Sequence, residues 1–298
     1  MTTRGWRLAR LEGPDGPRPG AVDPAEPGRI AVLRAVEPLS LLEPGALPAH
    51  AAEANEILEG VDPETLSPPD PWRLVLPVEP PEVWCAGVTY ERSRDARLEE
   101  SRTEARDAYS LVYDAERPEL FLKDAAGRRT VGPGGPIGIR SDSAWNVPEP
   151  ELGLVLGEAG ALLGVTAGND VSSRDIEGEN PLYLPQAKVY AGACAIGPAV
   201  LVPYDWDEPF PIELRIRGAD GATLFEGETS TGRMRRSFAE LAAFCVLDNP
   251  VPPGSVLLTG TGLVPPDEFT LEPGHVVEVA IPGIGRLVNE VATAGELL

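Results

Sequence analysis

From residue 83 onward the chain alternates short apolar runs with glycine, proline and asparagine turn signals, the runs falling at 83–88, 119–123, 151–156, 195–202, 210–216, 255–259 and 276–281. Runs of this length at this spacing suit strands, and they predict a rolled or sandwiched β structure. One helix has a marked start. Ser237 and Glu240 form an S-x-x-E capping box ahead of Phe238, Leu241, Ala242 and Cys245, and Pro250 follows the end. Upstream, strand-like runs at 6–11 and 30–35 precede a helical stretch over 46–58, with Ala51, Ala54, Ile57 and Leu58 on one side. Stacked prolines within 67–72 and 77–81 can continue neither a ladder nor a helix. The chain therefore divides near 70–80, into a small N-terminal α+β domain (residues 1–75) and a larger β-rich domain (residues 76–298). Between Tyr90 and Tyr113 the apolar pattern gives way to charges of alternating sign, ERSRDARLEESRTEARDAYSLV. That stretch reads as a solvated helix or loop, with a lid over a site as the alternative.

Composition supports this reading. Glycine (32) and proline (33) are too frequent for a helical bundle or coiled coil. The formal net charge of −22 argues against nucleic acid or an anionic membrane surface as a partner, since both need a contiguous cationic footprint, and the densest basic cluster is only Arg233 to Arg236. Cys85, Cys194 and Cys245 are odd in number and far apart, which leaves no disulfide framework and no CxxC motif. The N-terminal stretch lacks an apolar h-region and no apolar run is long enough to span a bilayer, so a cytoplasmic location is expected.

Two features carry candidate chemistry. Glu149-Pro150-Glu151 enters an apolar strand, and residues i and i+2 of a strand share a face, so two carboxylates roughly 7 Å apart at the backbone can converge on a hard cation. Glu177/Glu179 and Glu226/Glu228 repeat the E-x-E spacing, and context favours the first pair. A second strand, about 161–166, runs into Gly168-Asn169-Asp170, and a hairpin of this size would return Asp170 beside the two glutamates. A pair of solvated edge-strand acids is the competing reading. The second feature is lysine. Of 25 basic residues only Lys123 and Lys188 are lysines. An ammonium group can lose its proton when desolvated, whereas a guanidinium effectively cannot, so a retained lysine is a candidate general base or acid, against the commoner role of a salt-bridged side chain.

These residues also form a recognisable series. Glu149-x-Glu151, GNDVSSRD with Asp170, Arg174 and Asp175, then Lys188, then LLTGTG, LEPGHVVEV and GIGRLVNEV, resemble the fumarylacetoacetate hydrolase family over about residues 83–292. Phe121-Leu122-Lys123 resembles the family's F-x-K strand. The resemblance implies a mixed β-roll or sandwich domain behind a variable N-terminal domain. It implies Glu149, Glu151 and Asp170 as ligands of a divalent metal, usually Mg²⁺, with Mn²⁺ or Ca²⁺ as alternatives. It further implies Lys188 as the active-site lysine, Arg174 as a substrate-binding arginine, and Thr261 as the GT-turn residue that touches the substrate. The substrates it implies are 2-oxo or β-diketo acids, and the assembly a homodimer or homotetramer.

A departure narrows the reaction. The family's carbon–carbon hydrolases have Tyr-x-x-His near the start of the domain, whereas here Tyr90 is followed by Glu91, Arg92 and Ser93. Serine stands where histidine belongs, and Ser93 becomes a substrate-binding candidate. His50 and His275, the only histidines, read as structural or surface residues. The strings 113–123 and 172–190 are similar to the branch of the family that dehydrates 2-keto-3-deoxy sugar acids. The expectation is a metal-dependent hydro-lyase that converts a 2-keto-3-deoxy pentonate to 2,5-dioxopentanoate in pentose catabolism. Lys188 would take the C3 proton and Glu119 would give one to the leaving C4 hydroxyl. An acylpyruvate-type hydrolase or an oxaloacetate decarboxylase is the alternative, and a catalytically silent 2-oxo-acid binding protein a third reading.

Overall fold

The structure is a computed structural model that describes residues 4–34, 37–91 and 111–298. Its strands, in chain order, begin with β1 (Gly5–Gly13), β2 (Gly16–Val22), β3 (Arg29–Val32), β4 (Glu56–Glu59), β5 (Arg73–Leu74), β6 (Glu82–Gly87) and β7 (Glu119–Ala125). They continue with β8 (Thr130–Val131), β9 (Ile137–Ile139), β10 (Asn146–Val147), β11 (Pro150–Leu156), β12 (Leu162–Asp170), β13 (Ser172–Ser173) and β14 (Cys194–Pro203). The last are β15 (Pro211–Arg217), β16 (Thr223–Ser230), β17 (Val256–Leu258), β18 (Val276–Ile281) and β19 (Gly285–Thr293).

A long sheet runs in the order β4-β3-β2-β1-β14-β12-β11-β17-β6-β7, and a five-stranded sheet in the order β16-β15-β18-β19-β9. The N-terminal strands thus extend the long sheet, because β1 pairs antiparallel with β14, Arg7 opposite Leu201. Neighbouring strands are mostly antiparallel, but β17 lies parallel to β6, with Leu258 opposite Cys85. At the centre both faces are covered. On β11, Leu152 and Leu154 pack in a cluster with Phe210, Ile212, Val277 and Leu287 of the five-stranded layer. Val155 points the other way, into a cluster with Val83, Cys85, Cys194 and Ile196. Period-two alternation therefore buries every residue of β11. A leucine at a fully buried position such as Leu154 contributes about 1.5–3 kcal/mol by leaving water.

Three local readings need correction. The helix expected over 46–58 ends early: helix Ala46–Ala52 stops, and Glu56–Glu59 forms β4, paired with β3 through Ile30 and Leu58. In β4 Leu58 is buried and Ile57 is exposed, so their alternation obeys period two, and strand pairing overrides a helical pattern too short to tell the periods apart. The Ser237 cap forms, its hydroxyl accepting from the Glu240 N–H ahead of helix Phe238–Val246. The reciprocal half of the box does not, since the Glu240 carboxylate pairs with Arg236 at 2.5 Å. Strand β12 also runs on to Asp170, beyond the end expected near residue 166. The three cysteines are buried and free. No helix among the described residues is long and apolar enough to cross a membrane.

Candidate metal centre and active site

The site begins in the β11–β12 hairpin. Pro150 pairs with Asn169 and Glu151 with Gly168. Just before the strand, the Glu149 N–H donates to Asn169 Oδ1, and the Asp170 N–H donates to the Glu149 carbonyl, each at 3.0 Å. With period two along each strand, this register places Glu149, Glu151 and Asp170 on one face. One carboxylate oxygen from each lies within 4.8 Å of the others, and all three residues are buried.

Three buried carboxylates repel one another unless cations answer them. Glu149 pairs with Arg174 Nη2 at 3.0 Å and with Lys188 Nζ at 2.7 Å. Asp170 pairs with Lys188 Nζ at 3.0 Å and with the fully buried ammonium of Lys123. Lys188 also donates to Ser172 Oγ. Lys123 also donates to the Val171 carbonyl at 2.9 Å, so Asp170 is gripped by two ammonium groups.

Glu151 is different. It accepts from the Gly260 N–H at 2.6 Å, and among the described residues no cationic side chain pairs with it. Burial first, then repulsion from Asp170 and Glu149, pushes its carboxyl well above the usual carboxylate range. A divalent cation held by all three acids would offset this repulsion. The donor set is all oxygen, which suits Mg²⁺, Mn²⁺ or Ca²⁺ and not a soft transition metal.

The other walls come from distant segments. Glu119, Phe121, Arg174, Glu177 and Thr261 line the same pocket as the three acids and Lys188. Glu119 opens β7 opposite Gly87 of β6. A Cβ on Gly87 would come within 2.1 Å of Glu119 Oε2, so the missing side chain gives the carboxyl its place. Gly260 has φ +89°, and a Cβ there would meet Thr89 Oγ1 at 2.2 Å. Its glycine therefore serves both the turn and the close approach to Thr89. Thr261 is fixed by its own turn, its hydroxyl donating to the Leu263 carbonyl at 2.9 Å and accepting from the Leu263 N–H at 3.2 Å.

The structure brings together Glu119, Glu149, Glu151, Asp170, Arg174, Lys188 and Thr261. Ser93 and nearly all of the 91–112 stretch lie outside the described residues. His50, on helix Ala46–Ala52, and His275, whose Nδ1 accepts from the Glu272 N–H at 3.2 Å, do not line the pocket. Asp175 turns away from it, accepting from Ser143, Ala144 and Ser173 to pin the helix start. Two residues went unassigned from sequence. Lys123 grips Asp170, as above. Glu177, which appears in the sequence only as half of a chance E-x-E pair, is buried and lines the pocket. The signal for it was its place three residues beyond Arg174 in helix Arg174–Glu179, where i and i+3 share a face.

Several known proteins are similar to this chain over most of its length. A Haloferax volcanii protein named probable 2-keto-3-deoxyxylonate dehydratase is 52% identical over 219 residues, covering 73% of this chain and 74% of that protein. The Saccharolobus solfataricus 2-dehydro-3-deoxy-D-arabinonate dehydratase is 43% identical over 222 residues, 74% of each chain. The solved structure of 2-keto-3-deoxy-D-arabinonate dehydratase complexed with magnesium and 2,5-dioxopentanoate matches with a TM-score of 0.80 at 36% identity, covering 96% of this chain and 99% of that one. The family model for the fumarylacetoacetate (FAA) hydrolase C-terminal region matches residues 82–292. On the strength of that match and of the shared fold, the chain belongs to the fumarylacetoacetate hydrolase family.

Proposed function

We propose that the chain is a magnesium-dependent hydro-lyase that removes water from a 2-keto-3-deoxy pentonate, giving 2,5-dioxopentanoate. The reading rests on one observation: a buried three-carboxylate cluster in direct contact with Lys188, in a pocket that Glu119 also lines. Names and cofactor of the 52% and 36% identical relatives supply the substrate class.

Glu149, Glu151 and Asp170 would hold the metal. Bound there, a divalent cation supplies Lewis acidity to a 2-oxo acid, polarising the C2 carbonyl and making the C3 proton acidic. The remaining work belongs to side chains. Lys188, whose Nζ lies against Glu149, Asp170 and Ser172 at the edge of that cluster, would take the proton from C3. Glu119 gives a proton to the C4 hydroxyl, which leaves as water. The unsaturated 5-hydroxy acid that results isomerises to the C5 aldehyde. Arg174 and Thr261 orient the substrate carboxylate, and Ser93 is proposed as a further contact. Water activation by histidine is not open to this chain, because its two histidines lie outside the pocket, and that disfavours the acylpyruvate hydrolase alternative. The reaction would serve the breakdown of pentose-derived acids, in a homodimer or homotetramer.

Incubation with 2-keto-3-deoxy pentonates and Mg²⁺, followed by an aldehyde assay, tests the proposal. Metal-dependent 2,5-dioxopentanoate is the expected product. No aldehyde, with or without metal, overturns the reading.

A further inference from the structure

Far from the carboxylate cluster in sequence, the structure buries a cation that, among the described residues, has no ion-pair partner. Arg7 lies on β1 between Val22 of β2 and Leu201 of β14 and is only 6% exposed. Its guanidinium offers five donors. Among the described residues it makes one hydrogen bond, a long one of 3.5 Å to the Ile284 carbonyl, and no ion pair. The side chain lines a cleft of about 270 Å³ between the N-terminal strands and the β18–β19 turn.

The other arginines of that cleft are already neutralised. Arg4 pairs with Glu208 at 2.9 Å and donates to the Pro209 carbonyl. Arg286 pairs with Glu278 at 2.9 Å and Glu64 at 3.0 Å. Of the cleft's carboxylates, Glu64 is thus taken, and Glu213 is exposed. The turn over this cleft is glycine-rich, and Gly283 leaves the room that Arg4 occupies. A Cβ on Gly283 would meet Arg4 Cδ at 2.8 Å, and one on Gly285 would meet the Glu64 carbonyl at 2.8 Å.

We propose that this cleft is a binding site for a small oxyanion, a carboxylate or a phosphate, held by the guanidinium fork of Arg7. The protein answers this largely buried guanidinium with one long acceptor, and an anion in the fork would add two parallel hydrogen bonds. Burial alone lowers the Arg7 pKa to about 10, the mark of a charge without a counter-charge. The cleft opens to solvent and has room for a small organic acid. In a chain of net charge −22, such a pocket selects anions locally against a repulsive field.

Isothermal titration calorimetry on the full chain, with magnesium present and ionic strength fixed with sodium chloride, tests this. The two probes are inorganic phosphate and succinate. Saturable binding of one anion per chain is expected for at least one probe, and which one binds identifies the source. Arg7→Met should weaken it at least tenfold, and Arg7→Lys, which keeps the charge but loses the fork, should fall between. Absence of saturable heat from both probes with the wild-type chain overturns the proposal, and needs no variant to fold. So does an Arg7→Met protein that binds as tightly as the wild type, since the anion would then sit elsewhere. A smaller sedimenting species for Arg7→Met, with no anion bound by either protein, also overturns it and assigns Arg7 to a contact between copies.

Discussion

Replacing Glu151 with glutamine should make the metal-free protein more stable while removing its response to metal. Glutamine is nearly isosteric, and its side-chain oxygen can still accept from the Gly260 N–H, now at 2.6 Å from Glu151. What it deletes is charge. With carboxylate oxygens within 4.8 Å of one another, each full repulsive pair is worth about 3.5 kcal/mol at an effective dielectric of 20. Glu149 and Asp170 are largely answered by Arg174, Lys123 and Lys188, and protonation of Glu151 caps its own cost. The expected net gain for Glu151→Gln without metal is therefore about 1–3 kcal/mol. Magnesium at a hundred times its Kd should add about 2.7 kcal/mol to the wild type and close to nothing to the variant, so the stability order narrows or inverts. Urea denaturation at pH 7, with EDTA and then with Mg²⁺, measures both quantities. A Glu151→Gln protein less stable than wild type in EDTA, or one that gains as much from Mg²⁺, would refute the reasoning.

The pH dependence of the metal-free protein follows from the same carboxyl. A pKa raised on folding gives stability that is complete below the ordinary carboxylate range and declines as pH rises through the folded value; urea midpoints should fall over that window, and Mg²⁺ should flatten the fall. Lys188→Ala should lower kcat by about 10²–10⁴-fold while Mg²⁺ still raises the urea midpoint; full activity would dismiss the lysine as base. Lys123→Met should cost about 3–5 kcal/mol, because it strips one partner from a buried ion pair, and a thermal melt with Tm unchanged would contradict that grip on Asp170. Gly87→Ala should reduce kcat without altering the response to Mg²⁺, since its Cβ would displace the Glu119 carboxyl; unchanged turnover would remove Glu119 from the chemistry.

Local pattern reached the hairpin and its three acids because the register is short-range: Glu151 and Gly168 pair across a single connection. The capped helix at Ser237 was legible for the same reason. Residues 53–58 were misread because alanine, isoleucine and leucine over so few positions satisfy a period of 3.6 and a period of two equally. Their strand exists through β3, a partner the pattern does not reveal. Contacts made by folding were equally hidden. Nothing near Glu151 in the chain announces the Gly260 N–H, more than a hundred residues away, and the isolated F-x-K string does not say that Lys123 reaches Asp170. Glu177 was lost for a different reason: in a chain this acidic, a buried glutamate looks like its many solvated neighbours until its helix is docked.

The order of strands in the long sheet has a consequence for synthesis. β17 stands between β11 and β6 and pairs with both. A nascent chain that has not yet delivered Val256–Leu258 therefore keeps two fully formed strands with bare edges, and lacks the Gly260 amide of the site. Those edges are apolar and buried in the finished protein, the kind that pair with other chains when left open. The pocket and the protection of the sheet arrive together, when one short late segment slots between two early ones, and a ribosome stalled before it would release an aggregation-prone chain with no complete site.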